Sequence, residues 1–293
     1  MPQLPSPQRF APLATFRRLR DFLRQARDVA RLGETPEHAA RLLLASFVLA
    51  LDARRRCPDG RPIYIRLRFE GESLPCVITH YSDIQVLQQF FVWEQYKLHS
   101  HLDPLVIFDA GSNSGFSVLY FRIRHPHARI FALEPDSAAF TKLQINTRNW
   151  PGIIARRVAL AGTDGSRTFY RSSQSWVSSL LPSENWTSPN EAGPIDQVLE
   201  DVEARTLRSL MADFGVNRVD LLKLDVEGAE WEVLPQLAHS RSIGAVLGEL
   251  HWDLSTAPAV GRAEDVLPGF HVSFRGGSAH RSDFLALHAG MPE

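Results

Sequence analysis

The chain has 293 residues, 44% of them hydrophobic and 22% charged, with a formal net charge of −1. That composition excludes a disordered polyelectrolyte, and the overall charge gives no reason to expect nucleic acid as a partner. Cys57 and Cys76 are the only cysteines, too few for a disulfide framework or a zinc site; one bridge between them stays open, and a reduced intracellular protein is the simpler expectation.

The first fifteen residues carry four prolines and read as a disordered arm. In "TFRRLRDFLRQARDVARL" a helical period places Phe16, Leu19, Phe22, Leu23, Ala26 and Val29 on one face, with arginines on the others. Such a helix either lies on an anionic membrane surface or packs on the body and solvates its arginines. The second reading is preferred, and an organelle presequence is a third. Thr35 and Pro36 start a second helix running to about Arg56, where "CPDG" turns. Its apolar stretch Leu42 to Leu51 is about half the length of a membrane span. "PIYIRLRFE" and "LPCVITH" alternate as a hairpin around "GES". "SDIQVLQQFFVWEQYKL" returns to a helical period, with Ile84, Leu87, Phe90, Phe91 and Tyr96 inward.

Strands and helices then alternate. Strands are predicted at "LVIFDA", "RIFALE", "IIARRVAL", "VDLLKLD" and "IGAVLGELH", with helices starting near Ser117, Ser137, Thr206 and Glu230. This order predicts an α/β fold with a mostly parallel twisted sheet, covered by helices on both faces. The last stretch, "FHVSFRGGSAHRSDFLALH", predicts an antiparallel edge pair.

The turn "DAGSNSG" puts Asp109 at a strand end and Gly111 and Gly115 just beyond it. A dinucleotide fingerprint fails there, because Asn113 and Phe116 stand where glycines are required. A phosphate-binding loop fails for want of Gly-Lys-Ser/Thr. The turn resembles the first motif of the Rossmann-like methyltransferases, whose ligand, S-adenosylmethionine, has an ammonium group and no pyrophosphate. Glu134 ends the next strand, where an acid can accept hydrogen bonds from both ribose hydroxyls.

Further segments, "EPDSAAFTKLQINTRNW", "VALAGTDGSRTFY", "VEARTLRSL" and above all "KLDVEGAEWEVL", follow in the order seen in the FkbM-like methyltransferases. The resemblance runs from about Ser82 to Leu250. It departs from the family's pattern at Arg208, where Asp is common, and at Ser114, where isoleucine is usual. It implies a Rossmann-like class I methyltransferase domain over 81–293, preceded by an extension over 1–80. It also implies O-methylation of a hydroxyl on a sugar or other small molecule; the compartment expected from the cysteine usage is the cytoplasm. The cofactor-binding set it implies is Asp109, Ala110, Gly111, Ser112, Asn113, Gly115, Glu134, Pro135, Ala159 and Asp225. A dinucleotide oxidoreductase and a non-catalytic module on the same fold are the alternatives.

Methyl transfer to oxygen needs alignment and removal of a proton. Asp225, Glu249 and His251 are the acid/base candidates, with Lys223 orienting; Glu227 reads equally as catalyst or helix-start residue, and Glu230 as helix start. Each has a bland counterpart: Lys223 and Asp225 as a buried ion pair, and His251 as a strand-end histidine held by an acid. A divalent metal on Asp225, Glu227, Glu249 and His251 is possible but not predicted, and would be Mg²⁺ or Mn²⁺. The "HSH" and "HPH" histidines read as solvent-facing. Asn146 reads as a helix end, with cofactor contact left open. The long polar segment with Trp176 and Trp186 reads either as a lid or as a surface insertion.

Overall fold

The computed structural model describes residues 12–54, 61–98, 102–172, 178–180, 197–238, 240–251, 267–277 and 281–289. Cys57, His99, His101, Trp176 and Trp186 lie outside these, as do residues 1–11 of the expected arm.

Two helices, α1 (Pro12–Ala30) and α2 (Pro36–Arg54), open the described chain. The arm is thus shorter than expected, since Pro12 to Thr15 are helical and proline is tolerated in a first turn. Only part of the expected apolar face of α1 is covered: Ala26 and Val29 are fully buried, whereas Leu19 and Leu23 are exposed. The helix meets its neighbours through Phe22, whose ring touches Phe47 and Tyr81. The hairpin follows as β1 (Ile63–Phe69) and β2 (Glu72–Ile78) in antiparallel register.

The helix expected up to Leu98 ends early. α3 (Tyr81–Leu87) widens into a π-helical turn, Gln88–Val92, where Trp93 N–H reaches back to Gln88 O. Glu94 then adopts φ +47° and leaves the helix, its carboxylate held by Arg124 and Lys97.

The central sheet contains β3 (Val106–Ala110), β4 (Arg129–Leu133), β5 (Ile153–Arg156), β9 (Val219–Leu224), β10 (Ile243–His251), β11 (Phe270–Gly277) and β12 (Arg281–His288). Their order is β11-β12-β10-β9-β3-β4-β5. The run from β10 to β5 is parallel; β12 is antiparallel to both β10 and β11. This is the expected Rossmann-like sheet. Alternate residues feed two cores. Ile107, Ile130, Leu221 and Leu247 pack with α1–α3, α4 (Phe116–Arg124) and α5 (Ser137–Thr147). Phe108, Phe131, Leu222 and Val246 pack with α6 (Leu207–Asp213) and α7 (Glu230–Leu237).

The expected single strand "IIARRVAL" is broken. β5 stays in the main sheet, while β6 (Ala159–Leu160) pairs with β8 (Gln197–Arg205) in a second sheet, order β6-β8-β7. β7 (Gly165–Ser172) and β8 form a long antiparallel pair that the sequence reading did not anticipate. The strand order reverses direction of travel at β3, so the carboxyl ends of β3 and β9 border the crevice where open α/β sheets bind ligands.

Candidate active site

β3 delivers Asp109 and Ala110 to the carboxyl end of the central sheet, and Gly111 turns the chain at φ +77°. A Cβ at Gly111 would lie 1.8 Å from the Asp225 carbonyl oxygen, so two strand ends meet there with no room for a side chain. Gly111 and Ser112 N–H both donate to Leu133 O, at 3.0 and 3.1 Å. Gly115 caps α4 in the left-handed region, and a Cβ there would press on Leu143.

Glu134, at the end of β4, is buried and receives this turn. Its Oε2 accepts Asn113 N–H at 2.7 Å and its Oε1 accepts Asp136 N–H at 2.8 Å. Burial and the neighbouring Asp136 carboxylate push its pKa up to about 8. Asp136 in turn caps α5.

Lys223 is almost completely buried in β9. Its Nζ donates to Gly111 O at 2.7 Å and lies 3.4 Å from both Asp109 Oδ1 and Asp225 Oδ2. Burial alone would lower its pKa, but the two carboxylates raise it, so the ammonium stays charged. Burial raises Asp109, and Lys223 opposes that rise.

A second cluster closes the site from β10 and α7. Glu249 Oε1 accepts from Gln89 Nε2 at 3.0 Å and Tyr96 Oη at 3.3 Å. His251 Nδ1 lies 3.1 Å from Glu230 Oε1, and its Nε2 lies 3.2 Å from Glu227 Oε2 and 3.9 Å from Glu249 Oε2. Burial works against the imidazolium, yet Glu227 and Glu230 raise its pKa well above the usual value. Glu227, at φ +50°, is pushed up to about 8, chiefly by burial. Glu230 is the helix-start residue expected: it accepts Val226 N–H and Gly228 N–H and so fixes the ring of His251.

These groups surround one cavity of about 410 Å³. Gly111, Ser112, Asn113, Glu134, Pro135 and Ala159 line one part; Lys223, Asp225, Glu227 and Glu249 line another. Asp109, Ala110, Gly115 and His251 are not on its wall; Asp109 and His251 contact the wall residues Lys223 and Glu227. One donor atom each from Asp225, Glu249 and His251 lies within 4.8 Å of the others, a spacing that could hold a cation.

The opposite wall was not recognised from sequence. Gln85, Gln88, Gln89 and Trp93 line it from α3 and the π-turn, and Gln25 of α1 joins them. The signal was the spacing of glutamines 85, 88 and 89, which puts them on one helical face. Asp83 was also missed. It is buried against Lys142 at 3.2 Å and accepts from Ser114 Oγ at 2.9 Å. Lys142 and the backbone N–H groups of Thr79 and His80 outweigh burial and hold it below the usual carboxylate range. Ser114 therefore has a partner that the family's usual isoleucine could not engage.

Asn146 bonds Val77 N–H and Ser114 O, tying the hairpin to the glycine turn rather than facing the cavity. Arg208 is exposed on α6, away from the cavity wall. Of the "HPH" pair, His127 is exposed as expected, but His125 is buried. It closes the end of α4 beside Asp103, at 3.2 Å.

A family model described as the methyltransferase FkbM domain matches residues 109–259. Methyltransferase 1 of Beauveria bassiana is 32% identical over 181 residues, covering 57% of this chain and 68% of that protein. The 2-O-methyltransferase NoeI of Sinorhizobium fredii is 29% identical, covering 45% and 56%. The 31-O-demethyl-FK506 methyltransferase FkbM of Streptomyces tacrolimicus is 28% identical, covering 50% and 65%.

Proposed function

The chain belongs to the FkbM methyltransferase family, and we propose that it uses S-adenosylmethionine to methylate a hydroxyl on a sugar or other small molecule. The observation that carries this reading is the single cavity shared by the glycine turn, Glu134 and the Asp225–Glu249 carboxylates.

The residues present fit the methyl donor. Each Glu134 oxygen accepts one backbone N–H, which leaves acceptor capacity for the ribose hydroxyls. Among the described residues, Asp109 and Asp225 share the one Lys223 ammonium, and Glu230 and Glu249 both lie beside His251. That imbalance suits a ligand bearing sulfonium and ammonium charges. When bound, the donor supplies the activated methyl group.

Asp225 and Glu249 flank the acceptor side of the cavity, and Asp225 keeps a quarter of its side chain exposed. They are the groups to orient an acceptor hydroxyl and take its proton. Lys223 and His251 are positioning residues: they hold these carboxylates in place and balance their charge. The glutamine wall offers neutral donors and acceptors, and the largely exposed ring of Trp93 offers an apolar face. Together they suit a polyhydroxylated, uncharged acceptor. The relatives named as a 2-O-methyltransferase and a 31-O-demethyl-FK506 methyltransferase support oxygen as the atom methylated.

Calorimetric titration with S-adenosylmethionine and with NAD, on wild type and Glu134→Ala, tests the donor. Micromolar S-adenosylmethionine binding that weakens in the variant is expected. Binding of NAD alone would overturn the reading in favour of an oxidoreductase. Transfer of labelled methyl to sugar hydroxyls, lost in Asp225→Asn, tests the acceptor.

A further inference from the structure

α2 is apolar on two opposite faces. Leu42, Ala45 and Leu49 are buried against the body, while Leu43, Leu44, Phe47, Val48 and Leu51 are exposed on the other side. No charged residue stands between Leu42 and Leu51. Leu44 is 64% exposed and Leu51 51%, far more than a packed helix face leaves open. The Phe22–Phe47 ring contact, at 5.1 Å, joins this stripe to α1, where Leu19 and Leu23 are exposed beside Phe22.

Charge is concentrated beside the stripe. α1 carries five arginines and two aspartates, although the whole chain has a net charge of −1. Arg24, Arg27 and the following Arg31 all converge on Asp28, at 3.8, 3.6 and 3.2 Å, so one carboxylate serves three exposed guanidiniums. At helical spacing, Arg20, Arg24 and Arg27 follow directly around the cylinder from Leu19 and Leu23.

We propose that the α1–α2 hairpin docks on an anionic phospholipid surface, with its leucines entering the headgroup boundary and its arginines meeting the lipid phosphates. The combination of an exposed apolar stripe and a cationic flank is what interfacial helices present. No helix among the described residues is long and apolar enough to cross a membrane; the contact proposed is a peripheral one through the exposed stripe. A second copy fits less well, because a two-fold contact would bring two identical arginine clusters together. Docking would also place the cavity near the lipid, since Gln25 of α1 lines it and accepts from Tyr81 Oη at 3.0 Å.

The test is flotation of the full chain with vesicles of phosphatidylcholine, alone or mixed with phosphatidylglycerol. Binding is expected only to the mixed vesicles, and salt should weaken it. Leu44→Asp with Leu51→Asp should abolish it, and Arg20→Gln, Arg24→Gln and Arg27→Gln combined should weaken it about a hundredfold. Both sets lie on exposed positions, so S-adenosylmethionine titration and thermal melting should be unchanged, which separates this proposal from that of function. Absence of binding, or equal binding to both vesicle types, would overturn it. So would sedimentation equilibrium showing a dimer that Leu44→Asp dissociates, which would assign the stripe to a second copy.

Discussion

Lys223 Nζ donates a 2.7 Å hydrogen bond to the carbonyl of Gly111, so a lysine on one strand fixes the turn that ends its neighbour. The same ammonium faces Asp109, which has no exposure. Removing one partner of a buried ion pair strands the other charge. Lys223→Met is therefore expected to destabilise the fold by about 3–5 kcal/mol, seen as a lower urea midpoint. Combining it with Asp109→Asn should restore much of the loss, since no buried carboxylate is then left unpaired. An additive double variant would show that the two residues are not coupled.

At Gly111 a methyl group would strike the Asp225 carbonyl at 1.8 Å, and the backbone sits at a positive φ that alanine resists. Gly111→Ala should push β3 and β9 apart at their carboxyl ends. The expected result is loss of measurable S-adenosylmethionine binding by calorimetry, with the melting temperature also lowered. Retained binding would mean the turn does not face the donor.

What was legible in the sequence follows from locality. The apolar runs ending in Asp109, Glu134, Asp225 and Glu249 each read as a strand with an acid at its end, because period and punctuation are contained within a few residues. The helix starts near Thr206 and Glu230 were legible for the same reason. The link from Asp83 to Lys142 joins residues far apart in sequence, and nothing local announces it. His125 looked like a loop histidine because burial by Asp103 and the end of α4 is a tertiary fact. The strand at Ile153–Leu160 was read as one piece because its apolar residues are continuous; the break comes from β8 drawing Ala159 and Leu160 into another sheet. The glutamine wall shows the converse case. Its spacing was visible, but only the cavity gives those amides a purpose.

Asp225→Asn and Glu249→Gln should each lower kcat by roughly 10²–10⁴, and Asp225→Asn should also weaken donor binding, since it removes a negative charge from the cavity wall. In the proposed mechanism His251 acts through them. As an imidazolium it favours ionised carboxylates around it, and its own pKa is raised by Glu227 and Glu230 despite burial. His251→Gln should therefore move the acid limb of the kcat profile to higher pH, by about one unit. A purely structural role would lower activity without moving that limb.

Asp225, Glu249 and His251 are close enough to hold a cation, but Nε2 of His251 already faces Glu227 at 3.2 Å. Lys223 supplies a fixed positive charge at Asp225, and His251 at Glu249. Methyl transfer is thus expected to persist after dialysis against EDTA and to gain less than twofold on addition of Mg²⁺ or Mn²⁺, an approximate bound set by the charge already present. Activity lost to EDTA and restored by one of these ions would assign the cluster to a metal instead.

Glu134, on the cavity wall beside the glycine turn, ties the cavity to stability. Its folded pKa is raised to about 8 from an ordinary value of 4.5, mainly by burial. The native state therefore binds a proton more tightly than the unfolded chain does, and its contribution is fully present below pH 4.5. Between there and pH 8 the folded protein should lose stability steadily, as it must either keep the proton against the solution or bury a charge. Glu134→Gln cannot ionise, so its melting temperature should lack this component of the slope. At low pH the variant is expected to be the less stable, because glutamine offers one acceptor oxygen where Asn113 and Asp136 N–H groups need two. The gap should narrow as the pH rises toward 8. Melting curves of both proteins across that range would check it, and parallel slopes would show that Glu134 does not titrate in this window.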